Sequence, residues 1–223
     1  LDKVQNSCTD HIGSVAFNAL ADSLEYIATK IEVFEFVDID DNLDNIPKRE
    51  IVSQLSKFKN NFYYVSSVYL ALENGQYYES SSQSSDLLTV ENQAWYYKTR
   101  NDLKINFLTV MKNKTACALV TAPFYYKGEY AGVIAVEVDN ALFKKTADFF
   151  GDDMVQLVIS DEDDNPFFEY DKNFEDGRKY SKFEHTYNFM THNMKELATF
   201  KTAVYSVKTG NKLEFYISTI VFS

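Results

Sequence analysis

The sequence predicts an α+β fold, with one long N-terminal helix followed by two modules, each an antiparallel sheet flanked by helices. Three observations lead to this prediction. Apolar residues recur at helical spacing near the N-terminus, and the order hairpin, helix, hairpin occurs twice along the rest of the chain. With 45% hydrophobic and 16% aromatic residues in 223 positions, the chain can also bury a substantial core.

Residues 3–35 form the predicted long helix. At 1.5 Å per residue it would be roughly 45–50 Å long, which is longer than a small domain is wide. We expect residues 1–36 to act as a stalk along two stacked modules, although an ordinary core helix would give the same pattern. The apolar residues, spaced mostly by three and four, are Val4, Cys8, Ile12, Val15, Ala19, Leu24, Ile27, Ile31 and Phe34.

Residues 37–150 are the predicted first module. Pro47 suits the first turn of a short helix. The segment 62–80, FYYVSSVYLALENGQYYES, is typical of a hairpin, because Asn74-Gly75 supplies the positive φ that tight hairpin turns need.

The second half of this module begins with a short helix over 91–99 that includes Trp95, Tyr96 and Tyr97. A second hairpin is predicted over 116–139, with its turn at Lys127-Gly128-Glu129, and residues 141–150 are predicted to form another short helix.

Residues 151–223 are the predicted second, smaller module. The segment 154–171 is typical of a hairpin with an Asp-Asp-Asn-Pro turn at 163–166. A further hairpin is predicted over 198–223, with its turn at 209–211.

Composition and motifs exclude several classes of function. A net charge of -11 disfavours nucleic-acid binding. His11, His185 and His192 show no metal-ligand spacing, and there is no nucleophile elbow, P-loop or dinucleotide fingerprint. We therefore expect no metal, no cofactor and no enzymatic activity. For Cys8 and Cys117, two partly buried thiols are favoured over a single bridge.

Trp95 and Tyr96 are the first candidate site residues. Their aromatic bodies and polar tips suit a small organic ligand, and a tryptophan packed between helix and sheet is the alternative interpretation. We also expect Phe107 and Thr121 to line the pocket.

Glu137 and Asp139 are the candidate charged residues. They alternate with Val136 and Val138, so strand periodicity places both acids on one face. If that face lines a concavity, Glu137 can accept a cation; a solvated strand face is the alternative.

The long helix, the first hairpin, Trp95-Tyr96 and the segment GVIAVEVD at 132–139 together resemble the double Cache domains of bacterial transmembrane receptors. These PAS-like extracellular sensor domains occur in chemoreceptors, histidine kinases and diguanylate cyclases. The order of elements matches over essentially the whole chain, whereas the motif residues cover only about 91–139.

The resemblance also implies roles for individual residues. In amino-acid-binding members, an arginine two residues before the tryptophan and the tryptophan-tyrosine pair bind the ligand carboxylate, while a later acid binds the ammonium. Trp95 and Tyr96 match, Glu137 takes the acid position, and Gln93 stands where the arginine is expected. Because a neutral amide cannot form a charge-assisted bidentate bond, we expect an amine or a neutral polar metabolite rather than a zwitterionic amino acid.

The resemblance thus implies an extracellular or periplasmic signal-transduction domain with its ligand in the membrane-distal first module, and a membrane-proximal second module without a ligand. Membrane-spanning segments of ~20 apolar residues are expected just before Leu1 and soon after Ser223. The alternative is a PAS-like interaction domain without a ligand, in which the apolar stripe at 4–34 forms a homodimer interface.

Overall fold

A computed structural model describes residues 2–39, 41–80, 90, 93–112, 115–149, 154–161, 163, 165–171, 200–209 and 213–222. These residues form an α+β structure with two antiparallel sheets, as the sequence predicts. The helices are α1 (Asp2–Glu32), α2 (Lys48–Lys59), α3 (Ala94–Asp102) and α4 (Asn140–Phe149), and a 3-10 turn (Leu43–Asn45) precedes α2.

The first sheet has five strands in the order β2-β1-β5-β4-β3. Its two predicted hairpins are confirmed: Gly75 has a φ of +85° in the first turn, and Lys127 and Gly128 have φ values of +52° and +84° in the second. The edge strand β3 was not assigned from the sequence. The strands are β1 (Val65–Leu72), β2 (Tyr77–Glu79), β3 (Asn106–Lys112), β4 (Thr115–Tyr126) and β5 (Glu129–Val138).

The second sheet has four strands in the order β7-β6-β9-β8. Both predicted hairpins of this region are present as antiparallel strand pairs, and residues 210–212 of the last turn lie outside the described residues. The strands are β6 (Met154–Ser160), β7 (Pro166–Asp171), β8 (Phe200–Thr209) and β9 (Leu213–Phe222).

From Ala16 onward, helix α1 packs its apolar residues onto the chain's own core. It contacts β4 of the first sheet and β8 of the second. The predicted stripe is wrong in phase at Val15, which is 45% exposed, and at Ala19, which is also exposed. The spacing of five between Ala19 and Leu24 already breaks the helical period. Over residues 15–34, where the structure describes the side chains, the buried residues are Ala16, Phe17, Leu20, Leu24, Ile27, Ala28, Ile31 and Phe34.

The predicted dimer interface along this helix therefore loses its basis from Ala16 onward, because those side chains lie in the intramolecular core.

One hydrophobic core extends from α1 across the first sheet to the second. The Phe107 ring of β3 and the Phe167 ring of β7 lie edge to face, with centroids 4.9 Å apart, and Phe143 of α4 lies 4.9 Å from Phe167. A polar contact joins β3 to the residue that follows β6, since the Thr109 backbone N–H donates to the carboxylate of Asp161 at 2.8 Å. The second sheet thus packs against the same face of the first sheet that α1 covers.

Candidate functional site

The opposite face of the first sheet, which we call the aromatic face, is covered by α3. Period-two alternation in the strands places Tyr69, Leu119 and Val133 on this side of the sheet. Trp95 and Tyr96 pack against them from α3 and are only 4% and 3% exposed. The further members of this cluster are Ala71, Val90, Leu108 and Ala135, with Tyr77 and Val110 packed at its border.

Three large rings meet at the N-terminal end of α3. The rings of Tyr69 and Tyr77 are stacked with centroids 5.9 Å apart, and Trp95 lies 6.5 Å from Tyr69 and 6.3 Å from Tyr77. Gln93, the residue that precedes α3, accepts a hydrogen bond from the Trp95 indole N–H at 2.9 Å. The amide of Gln93 therefore fixes the orientation of the indole ring.

Glu137 lies beside these rings, near the end of the central strand β5. One carboxylate oxygen accepts a hydrogen bond from the Ser66 hydroxyl at 2.9 Å. The other accepts one from the Tyr69 hydroxyl and one from the Lys112 ammonium, the latter at 3.1 Å. The side chain is only 13% exposed, so this is a largely buried carboxylate with three donors.

A carboxylate oxygen of a second acid, Glu79 of β2, lies 3.7 Å from the Lys112 ammonium nitrogen. It accepts a hydrogen bond from the Ser67 hydroxyl at 3.0 Å. A register shift between Val65 and Ser67 marks a bulge in β1, which explains why consecutive serines can both bond acids on this face.

Electrostatics keep the pair of Glu137 and Lys112 charged. Burial raises the pKa of Glu137, but the hydrogen bonds from Tyr69, Ser66 and Lys112 outweigh it, so the pKa is lowered. Burial lowers the pKa of Lys112, but the hydrogen bond to Glu137 and the attraction of Glu137 and Glu79 outweigh it, so that pKa is raised. Burial, followed by the bond to Glu137, raises the pKa of the Tyr69 hydroxyl, which therefore stays a donor.

Of the predicted site residues, the structure brings Trp95, Tyr96, Gln93 and Glu137 together on the aromatic face. Thr121 lies on the same side but is completely buried beneath α3, where its hydroxyl is 2.6 Å from that of Thr99. It thus contributes to the site by attaching α3 to the sheet.

The structure places Phe107 and Asp139 elsewhere. Phe107 is on the opposite face of β3 and packs on Phe167, because its neighbour Leu108 takes the inward position on the aromatic face. Strand β5 ends at Val138, so Asp139 does not continue the alternation. Its carboxylate instead accepts the backbone N–H of Ala141 at 2.8 Å at the start of α4, as a helix cap does.

The structure also places a cation in the site that the sequence did not indicate. Arg100 and Lys98 were the basic residues nearest to the tryptophan in sequence, but Arg100 pairs with Glu73 at 3.1 Å and Lys98 with Asp163 at 2.7 Å. Lys112 supplies the positive charge, and it lies on β3, the strand that was not predicted from the sequence. Alternation along β1 could have indicated that Ser67 and Tyr69 lie on the same face of the sheet. That Ser67 lies opposite Glu137 in the strand register could not be predicted from local sequence.

A cavity of about 800 Å³ lies between the end of α1 and α2. Phe34, Phe58, Glu50 and Lys57 contribute to its wall, and none of the predicted site residues does. Gln54 in this wall already donates to the carbonyl of Val37 at 2.8 Å. The wall of this cavity combines apolar groups with charges of both signs, whereas the aromatic face joins an aromatic cluster to a hydrogen-bonded carboxylate, so the aromatic face is the stronger candidate.

Within the described part of the chain, no group of His, Cys, Asp and Glu could hold a metal ion, and Cys117 is a free thiol. Among the helices that the structure describes, none is long and apolar enough to span a membrane.

No protein-family model matches the chain, and no curated protein matches its sequence. Solved structures, in contrast, match it over nearly its full length. The ligand-binding domain of the Pseudomonas fluorescens chemoreceptor CtaA, in complex with L-serine, has a TM-score of 0.68 at 12% identity, and the match covers 100% of this chain and 99% of that one. The corresponding domain of the Pseudomonas aeruginosa chemoreceptor PctB, in complex with L-Arg, has a TM-score of 0.64 at 12% identity, with coverage of 97% and 87%.

A third neighbour is the ligand-binding domain of the Campylobacter jejuni chemoreceptor Tlp3 in complex with L-valine, with a TM-score of 0.53 at 12% identity and coverage of 100% and 95%. Identities this low establish shape rather than ligand. The expected resemblance to bacterial sensor domains is confirmed at that level: the chain has the fold of chemoreceptor ligand-binding domains.

Proposed function

We propose that this chain is the ligand-sensing domain of a transmembrane signalling receptor, exposed on the extracellular or periplasmic side, and that it binds a small organic molecule on the aromatic face. The observation that carries the proposal is the joint position of Trp95, Tyr77 and the buried acid Glu137 on the sheet face beneath α3. An aromatic wall beside a fixed polar group is the usual composition of a small-molecule site.

The proposed architecture is that of a double Cache domain, with a ligand-binding module at 37–150 and a smaller module at 151–223. The presence of two separate antiparallel sheets supports this division. Helix α1 contacts strands of both sheets, so a ligand-dependent shift under α3 has a physical route to the rest of the domain. In this proposal the second module is a spacer without a ligand.

The proposed ligand is an amine or a neutral polar metabolite. An α-carboxylate would need a cation that is not already paired with an acid, but Gln93 is neutral and engaged with the indole, Arg100 pairs with Glu73, and Lys112 pairs with Glu137. Glu137 offers a carboxylate, and the rings offer π faces, which attract cations. The neighbours crystallised with amino acids support a small organic ligand in general; the Gln93 position argues for a different head group in this chain.

A thermal-shift panel of amines, amino acids, organic acids and nucleobases tests this function. At least one compound is expected to raise the melting temperature of the wild-type domain, and Trp95→Ala should abolish that shift because it removes the wall of the site. Tyr63→Ala is the matched control, since Tyr63 is 99% exposed and takes no part in the packing of the aromatic face. A shift that survives in Trp95→Ala, or the absence of any shift across the panel, would contradict the proposal.

A further inference from the structure

The ammonium of Lys112 occupies a place on the aromatic face that is built for an alkylammonium ion. Its nitrogen is 2.7 Å from the Tyr69 hydroxyl oxygen and 3.1 Å from a carboxylate oxygen of Glu137. A carboxylate oxygen of Glu79 lies at 3.7 Å, and the centroid of the Tyr69 ring lies at 5.3 Å. Each of the three N–H bonds thus has an acceptor nearby, and the ring adds a cation–π contact.

Lys112 is the most exposed of the three charged residues in this group. It is the last residue of the edge strand β3, whereas Glu137 lies on the central strand β5, so the lysine side chain must reach across β4. Its side chain is 46% exposed, compared with 13% for Glu137 and 17% for Glu79. A flexible four-carbon stem on an exposed edge can swing into water, whereas the two buried acids stay where the sheet places them.

The charge of the site favours a replacement of the same sign. When Lys112 swings out, the two carboxylates of Glu79 and Glu137 remain within reach of the vacated position. An incoming ammonium restores the lost ion pairs, whereas an incoming carboxylate would be placed beside two acids in a poorly solvated position.

We propose that Lys112 is a tethered competitor of the ligand: its ammonium fills an amine subsite at the Glu137 end of the aromatic face, and an amine ligand binds by displacing it. This inference rests on the proposed function of the aromatic face. It names the ligand class, an alkylammonium attached to an apolar or aromatic body, and a form of self-inhibition that sets the concentration at which the sensor responds.

Calorimetric titration with 2-phenylethylamine tests the inference, because this probe joins an ammonium to a ring that can contact Trp95 and Tyr77. If Lys112 leaves the subsite open in about one molecule in ten, its removal should tighten binding about tenfold. Lys112→Met is expected to show that gain. Lys112→Gln is a second variant, which keeps a polar side chain at the strand end and removes only the charge.

Lys144→Met is the matched control for charge. Lys144 lies on α4, is 68% exposed and pairs with Asp148, so the same substitution should leave the affinity unchanged. Adding Glu137→Gln to Lys112→Met should remove the gain, since the acid that binds the probe is then neutral. In the wild-type domain labelled with 13C at the lysine ε-carbon, the Lys112 resonance should shift on titration, whereas that of Lys144 should stay in place.

Three results would overturn the inference, and they separate it from the proposed function. If the domain binds other compounds of the panel but Lys112→Met and Lys112→Gln gain no affinity for the amine, the function stands and the competitor role is wrong. If 3-phenylpropionate binds the wild type and Lys112→Met abolishes that binding, Lys112 is instead the receptor for an anionic ligand. If neither the wild type nor the variants bind any compound, both proposals fail together.

Discussion

Replacing Gly132 with alanine is expected to destabilise the domain by about 3 kcal/mol, at the upper end of the cost of overpacking. Gly132 of β5 lies opposite Leu72 of β1 and Phe124 of β4. A Cβ atom at this position would lie 2.1 Å from the carbonyl oxygen of Ala71 and 2.9 Å from the Cα atom of Leu72. Both neighbours are backbone, so relief requires strand β1 to move by about 1 Å, at the expense of contacts and ladder hydrogen bonds.

The matched control is Gly128→Ala in the turn between β4 and β5. Gly128 has a φ of +84°, and no heavy atom lies within 4 Å of the place that an alanine methyl group would take, so only the left-handed backbone is penalised, by about 1 kcal/mol. Urea denaturation followed by the fluorescence of Trp95, the single tryptophan of the chain, measures both free energies of unfolding. A loss in Gly132→Ala no greater than that in Gly128→Ala would show that the close approach of β5 to β1 does not explain this glycine.

Three further substitutions test the assignments made above. Because the pKa of Glu137 is lowered in the folded chain, its contribution to stability is present above the pKa of the unfolded chain and is lost as the pH falls through the folded pKa. In urea denaturations at a series of pH values, Glu137→Gln should therefore lose less of its free energy of unfolding at acidic pH than the wild type does. Asp139→Ala should lower the free energy of unfolding by about 1 kcal/mol, because it removes the cap of α4. Thermal shifts in the compound panel should keep their wild-type size, and the loss of a shift would show that Asp139 contributes to ligand binding. Phe107→Ala should cost about 3–5 kcal/mol in urea denaturation because it opens a cavity in the core, and a cost below 1 kcal/mol would contradict its position there.

The parts of the fold that depend on local sequence could be predicted. The Asn74-Gly75 and Lys127-Gly128 turns specify their hairpins, because Gly75 and Gly128 adopt the positive φ values that such turns require without steric cost. The α3 helix with Trp95 and Tyr96 could likewise be identified from a short segment. The resemblance then placed Glu137 beside them.

The rest of the site depends on contacts between distant parts of the chain. Lys112 meets Tyr69 and Glu137 only because β3, β1 and β5 belong to one sheet, and strand order is not encoded in any one segment. The errors at Phe107 and Asp139 have a simpler cause. Because β3 was not assigned from the sequence, nothing fixed the face of the sheet on which Phe107 would lie. Strand β5 ends one residue earlier than expected, which turns Asp139 into a helix cap.

The ring contact between Phe107 and Phe167 has a consequence for how the domain unfolds. Because both rings belong to one continuous core that also includes α1, separating the sheets would expose aromatic surface on each of them. Their melting should therefore be coupled, giving a single cooperative transition rather than two. A fragment that ends after α4 would carry Phe107 and Phe143 uncovered, so it should aggregate more readily than the undivided chain.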